Sequence, residues 1–368
     1  MTARDWIDEF EHQARTANDP HRLRLVQLVY EADRYRETDP DQMLAFIAEG
    51  RTLARQLSEP WWELFYDDRR AGALMKYKGE AATGLELAVR NALEVRKPIY
   101  AQFPWRYRIH DHLVVGYLNT DPAGYATEIR EALDWMADTM PLVGSPRYLL
   151  LARRRWLASE VGDCREAERL ARQALDMAAS DPDQLTAQSH ATFCYSHLCE
   201  IVAAREEWDT LGDLAREGER LAFQMGHQLE LAEFHMWQAL LARREGNSEQ
   251  AARWFRQATR RVAQLGMPPD HIYFDAWCAF HEQGGEPAEA LAVREHELRL
   301  LVGRGRWAAE ARCRTQRLWL QVQLGQPVEA DLEAARAVVR RLRCPDEPLT
   351  RLAAVEAAAR LGLGPGER

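Results

Sequence analysis

Three side chains with metal-ligand chemistry share one helical face: His190, Cys194 and His197, spaced i, i+4 and i+7. Imidazole and thiolate on one face can hold Zn²⁺, which takes four such ligands in a structural site. No second ligand pair of standard spacing lies nearby in the chain. A packed cysteine with two groove-facing histidines is therefore the preferred reading, and no metal or other cofactor is expected. A larger group of rings and imidazoles forms the second chemical feature. Trp105, Trp237 and Trp277, with His190, His197, His235 and His281, fall in segments that read as the first helix of a helical hairpin. Amphipathic rings on a concave wall suit capture of a peptide or a small ligand. Longer helices packed on two neighbours need bulky residues too, so packing is the competing reading. In Arg153-Arg154-Arg155, consecutive residues point about 100° apart. One of them, with Arg154 the candidate, could clamp a partner carboxylate; a solvated face is the alternative. Arg253, Arg256 and Arg260 read as outward surface charge.

Catalytic signatures are missing. The chain has no G-x-x-x-x-G-K-[ST], no H-E-x-x-H, no G-x-S-x-G and no G-x-G-x-x-G between a strand and a helix. An enzyme is not expected.

Internal repetition shows which elements position these residues. GDCREAERLARQAL starts at Gly162, GNSEQAARWFRQAT at Gly246, GEPAEALAVREHEL at Gly285 and GQPVEADLEAARAV at Gly325. Each has Ala at its sixth position: Ala167, Ala251, Ala290 and Ala330. A degenerate copy begins at Glu206, and weaker copies precede these. The small residues Gly50, Ala92, Ala132, Ala174, Gly218 and Ala258 are spaced 42, 40, 42, 44 and 40 apart. The period is about 41 residues. After Gly162, the apolar positions Ala167, Leu170, Ala171, Ala174, Leu175 and Ala178 form one face of an α-helix. A second helical stretch precedes each Gly, for example 146–161 and 227–245. Pro122, Pro182, Pro287, Pro327 and Pro348 sit near expected helix starts, where a missing N–H costs little. No strand pattern appears. Each period is thus a helical hairpin turned at its Gly, which tolerates positive φ.

The pattern G-[DN]-x-x-x-A-x-x-x-[AF]-x-x-A-[LT], best at Gly162–Leu175 and Gly246–Thr259, resembles the second-helix half of a tetratricopeptide repeat. The period is longer than that family's, and its first-helix Trp, Leu-Gly and Tyr pattern is mostly missing. Long, degenerate repeats of this kind are similar to the effector-sensing arm of MalT-like bacterial regulators. The resemblance spans residues 20–361. It implies an all-α, right-handed superhelix of about nine hairpins, whose first helices line a concave groove. Residues 1–19, with Trp6, Ile7 and Phe10, read as an N-terminal capping helix. Residues 349–361 read as the C-terminal cap, and 362–368 as a flexible tail.

Composition narrows the partners. The net charge is −9 over 368 residues, which disfavours direct nucleic-acid binding. Residues 1–240 hold 28 Lys+Arg against 40 Asp+Glu, and residues 241–368 hold 20 against 17. Such polarity can steer a partner or favour self-association. Arg so outnumbers Lys (only Lys76, Lys78 and Lys97) that codon bias in a GC-rich, bacterial genome is the reading. Six scattered Cys, no signal-peptide pattern and no long apolar run lead to the expectation of a cytoplasmic chain that spans no membrane. The expected function is a scaffold or adaptor binding a partner protein segment in the groove, such as a subunit of a bacterial regulatory or defence complex. Its candidate residues are Trp105, Arg154, His190, His197, His235, Trp237, Trp277 and His281. The alternative, implied by the resemblance, is a small-effector or peptide sensor that switches a partner protein.

Overall fold

The structure, a computed structural model, describes residues 3–36, 38–140, 145–181, 184–265, 269 and 271–361. Pro182 and the 362–368 tail lie outside the described residues. Among the described residues there are eighteen α-helices and no strand. The fold is an all-α helical solenoid, as the periodicity predicts. The chain packs as two compact units, Met1–Thr120 with Tyr125–Arg153, and Asp121–Gly124 with Arg154–Arg368.

The first unit contains α1 (Ala3–Thr16), α2 (Pro20–Tyr35), α3 (Pro40–Gln56), α4 (Pro60–Lys76), α5 (Ala81–Glu94), α6 (Arg106–Thr120) and α7 (Ala126–Thr139). A 3₁₀ turn, Pro98–Tyr100, precedes α6. Consecutive helices pack from α1 to α7, and α4 also touches α6. Helix α1 lays Trp6 on Trp62, Phe65 and Phe103, with ring centroids 4.7, 5.7 and 5.5 Å apart. Pro20, Pro40 and Pro60 each open their helix, and Asp19 and Asp39 accept first-turn backbone N–H groups there.

Helix α8 (Ser145–Glu160) crosses from one unit into the other after Arg153. The second unit continues with α9 (Cys164–Ala179), α10 (Gln184–Ala204), α11 (Trp208–Met225), α12 (Gln228–Arg244), α13 (Ser248–Val262), α14 (His271–Gln283), α15 (Pro287–Leu301), α16 (Trp307–Gln323), α17 (Glu329–Val339) and α18 (Asp346–Leu361). Odd and even helices differ in burial. Helix α13 buries only Ala251 and Ala258 fully, seven residues apart on one stripe. Helix α12 buries Leu231, Phe234, Trp237 and Leu240 but also Glu233, His235, Met236 and Ala239, so its whole circumference is enclosed. Two flanking odd helices and the next even helices enclose it: α12 contacts α11, α13, α10 and α14. Helices α10 and α14 also touch each other, so α10, α12 and α14 pack together within this unit.

The hairpin joints explain the G-[DN] motif. Gly162 has φ 80° and Gly246 has φ 77°, left-handed values that suit glycine. Each is followed by a capping side chain. Asp163 accepts from Glu166 N at 3.0 Å, and Asn247 from Gln250 N at 3.1 Å. The same turn recurs in the degenerate copy, where Glu206 adopts φ 59°. Its neighbour Glu207 N donates to Val202 O at 3.0 Å, as Asp163 N does to Ala158 O at 2.8 Å. A left-handed side chain costs about 1 kcal/mol. Glu206→Gly is therefore expected to raise stability by up to about 1 kcal/mol, read as a higher denaturation midpoint. A lowered midpoint would reject the strain at this joint.

The small residues at the 41-residue spacing have a second function. A Cβ on Gly50 would lie 2.3 Å from the Tyr66 ring, and one on Gly218 2.3 Å from the Phe234 ring. In both cases the ring comes from the next helix, sixteen residues on. Ala132 and Tyr148, and Ala258 and Phe274, share this offset, and both rings are buried. In these four repeats a small residue on one helix is matched by an aromatic ring on the next, whereas Ala92 is matched by Arg108 and Ala174 by His190.

Candidate functional site

Of the eight residues singled out from sequence, Trp105 lies in the first unit and the other seven in the second, where they do not gather in one cluster. Trp105 lies in the turn before α6 and donates its indole N–H to Asp68 Oδ2 at 2.7 Å. Arg154 is exposed, and its charge acts on Glu166 of α9. The buried member of that triplet is Arg155, which donates to Phe193 O at 3.2 Å. His190 is half-buried on α10, sixteen residues after Ala174, in the register that holds a ring elsewhere. His235 is 3% exposed and stacks on Trp254 of α13 at 5.0 Å, with Nε2 3.5 Å from Glu219 of α11. Trp237 is also 3% exposed and belongs to the core of the second unit. Neither lines an open face, because the even helices are enclosed on more sides than a simple amphipathic helix.

Trp277 and His281 do meet, but they face the odd helices. The Trp277 indole donates to His281 Nε2 at 3.1 Å, so His281 carries its proton on Nδ1 and donates it to Glu286 Oε2 at 2.8 Å. Trp277 lies edge-on to Phe255 of α13 at 5.9 Å and near His296 of α15 at 6.4 Å. Arg243 of α12 completes this buckle, bonding both Glu286 oxygens and Phe280 O. Hydrogen bonds from Arg243 and His281 lower the Glu286 pKa. These residues fasten α12, α14 and α15 together and leave little to offer a ligand.

The other stripe of α14 is the polar one. His271, Asp275 and Glu282 recur at i, i+4 and i+11, opposite the aromatic stripe. His271 Nε2 stands 3.3 Å from Glu200 Oε1 of α10, and His197 Nδ1 stands 3.6 Å from Glu200 Oε2. Burial alone would raise the Glu200 pKa, but His271 and His197 outweigh it and hold it well below the usual carboxylate range. Asp275 pairs with Arg294 of α15 at 2.5 Å, and Arg294 also reaches Glu297 at 2.7 Å. Arg312 of α16 feels Glu160, Asp275, Glu297 and Glu200; burial would lower its pKa, yet these carboxylates raise it. Charged groups from α8, α10, α14, α15 and α16 thus gather in one polar cluster. Of the sequence candidates, only His197 belongs to it directly. Among the described residues, no three His, Cys, Asp or Glu side chains are placed to hold a metal ion.

The first unit has a polar network of its own, between α4 and α6. Asp68 is 0% exposed; its Oδ2 takes the Trp105 N–H and lies 2.9 Å from His112 Nδ1. The His112 ring lies over Gly72, where a Cβ would approach within 2.7 Å. Asp111 is buried between Arg153 Nε at 2.6 Å and Arg108 Nη1 at 3.0 Å. His110 stacks on Trp135 at 3.5 Å, and burial, with Arg96 and Arg106 nearby, lowers its pKa to about 3. It is therefore neutral at pH 7. A shallow depression between α2 and α3, lined by His21, Arg24, Glu49 and Thr52, has its cation already engaged. Arg24 pairs with Glu31 at 2.8 Å and Glu49 at 2.9 Å.

Sequence reasoning missed Glu200, Asp275, Arg294, Arg312, Asp68 and Asp111. A signal was present: charged residues inside first-helix segments that are otherwise apolar, such as Asp67-Asp68 and His110-Asp111-His112. The fold and these clusters define the chain as an all-α helical-repeat protein with buried charged clusters in each unit. No known protein family matches it, and no curated protein does. None of the helices is long and apolar enough to cross a membrane among the described residues.

Proposed function

We propose that the chain is a non-enzymatic scaffold of tetratricopeptide-like type, which binds a partner protein segment on the inner face of its repeats. The supporting observation is the cluster of charged groups that α8, α10, α14, α15 and α16 assemble in the second unit. Buried charge is costly unless paired, so a polar inner layer in a helical repeat fits recognition better than packing alone. Recognition is then by charge and hydrogen bonding; the rings read as groove aromatics serve as core and buckle. The setting that fits this mode of action is a bacterial cytoplasmic complex of the regulatory or defence kind.

The test is affinity capture of the tagged full chain from its own cells, with two charge reversals compared. Arg312→Glu on the inner face should lose a stoichiometric partner that wild type retains. Arg253→Glu with Arg256→Glu, on the outer surface of α13, should keep it. Loss of the partner from the α13 variant alone would refute inner-face binding. The second reading is a MalT-like effector sensor, and one observation favours it: Arg312 has no hydrogen bond or ion pair among the described residues. A small molecule that raises the melting temperature of the isolated chain would support it.

A further inference from the structure

We infer that the exposed face of α13 docks on α7 of a second copy of this chain, so that copies associate head to tail through charge. This inference goes beyond the inner-face reading and does not depend on it.

The odd-numbered helices carry the argument. On α13 only Ala251 and Ala258 are fully buried, and Arg253, Arg256 and Arg260 stand exposed at i, i+3 and i+7 on one face. The helix holds four basic residues against the single acid Glu249, and it is the one odd-numbered helix with a basic surplus. Arg253 has a loose pair with the exposed Glu249 at 3.6 Å. The side chains of Arg256 and Arg260 have no ion pair or hydrogen bond among the described residues. Helix α7 is the opposite case. It buries Ile129, Ala132, Leu133 and Met136, and it exposes Glu131, Asp134 and Asp138, again at i, i+3 and i+7. It holds four acids against the single Arg130, the largest acidic surplus of any odd-numbered helix. Glu131 and Asp138 likewise have no ion pair or hydrogen bond among the described residues.

Charge and spacing together decide the partner. Each stripe covers about 10 Å of helix axis. With the two helices side by side and parallel, Arg253 meets Glu131, Arg256 meets Asp134 and Arg260 meets Asp138. The two stripes are different surfaces, and every copy offers one of each. The contact is therefore heterologous and can repeat from copy to copy. A single exposed pair contributes little. Three in register give a weak association, which salt screens beyond about 10 Å at 0.1 M. Another acidic partner would answer the arginines but would leave the matching stripe of α7 unused.

The experiment is sedimentation velocity of the full chain over a concentration series. The sedimentation coefficient should rise with concentration in about 0.05 M salt and stay at the monomer value in about 0.5 M salt. Arg253→Glu with Arg260→Glu, and separately Glu131→Arg with Asp138→Arg, should each weaken association at least about tenfold with circular dichroism unchanged. Mixed in equal amounts, these two variants should associate again, because each then meets its opposite charge. Arg165→Glu with Arg172→Glu on α9 changes the net charge as the α13 variant does and should associate as wild type. The α13 variant should still retain an inner-face partner, so failure of this inference and failure of the inner-face reading are read apart. A wild type that stays monomeric at every concentration in low salt would overturn the inference, as would a mixture that stays monomeric or an α9 variant that does not associate. Association lost in the α13 variant but kept in the α7 variant would assign the arginines to another acidic surface and overturn it too.

Discussion

Trp237→Ala is expected to destabilise the second unit by about 3–5 kcal/mol, the cost of emptying a large buried aromatic site. The indole is enclosed by the core that also contains Phe234, Met236, Tyr273 and Phe274. Its N–H has no partner, so the residue contributes through volume and contacts alone. The measurement is the denaturant midpoint followed by far-ultraviolet circular dichroism. Trp277→Ala gives the comparison. Trp277 is half-buried and its main polar link is to His281, so about 2 kcal/mol is expected. A binding assay on the Trp237→Ala, Trp277→Ala pair would therefore report lost stability and not a lost contact. If Trp237→Ala unfolds within about 1 kcal/mol of wild type, its ring is not part of the core and the assignment fails.

Asp111→Ala should be comparably damaging to the first unit, at about 3–5 kcal/mol, because it strands Arg108 and Arg153 beside a buried site. The carboxylate is 1% exposed. Burial works to raise its pKa, but Arg153 and Arg108 prevail and lower it from 3.8 to about 2. A carboxyl whose folded pKa is depressed adds stability above its unfolded pKa and loses it as the pH falls through the folded one. That contribution is present above about pH 4 and is gone by about pH 2, and it amounts to roughly 2 kcal/mol. Asp111→Asn keeps the shape and removes the titration, so stability between pH 4 and 2 should fall less steeply than in wild type. An identical acid limb in Asp111→Asn would show that another group sets it.

The architecture was legible because it is written in local, repeated chemistry. The Gly162-Asp163 and Gly246-Asn247 dipeptides combine a left-handed turn with a helix cap, both decided within a few residues. Even the degenerate joint at Glu206 was located by repeat spacing, and it adopts the same backbone turn. The amphipathic stripe of α9 and α13 is equally local, since these helices bury one narrow face.

The candidate site was less legible, and the reason lies in the even helices. Periodicity identifies a face only when the other faces are wet. Helix α12 is buried around its circumference, so His235 and Trp237 show no stripe that separates groove from core. On α14 two stripes compete. The aromatic one, with Trp277 and His281, packs on α13 and α15, and the polar one, with His271 and Asp275, meets α10 and α15. Aromatic chemistry alone singles out the first of these stripes and says nothing of the second.

From its sequence alone, this protein is determined to be a helical repeat: the period, the turn glycines, the caps and the small residues are short-range instructions. Tertiary structure alone decided which charges meet. Glu200 and His271 are 71 positions apart, and their encounter depends on how two helices are stacked across an intervening hairpin. The same stacking decides that Arg312 is left without a partner while Arg294 has two. Repeat spacing records how each hairpin turns, whereas a binding wall is made by faces that neighbouring hairpins present jointly.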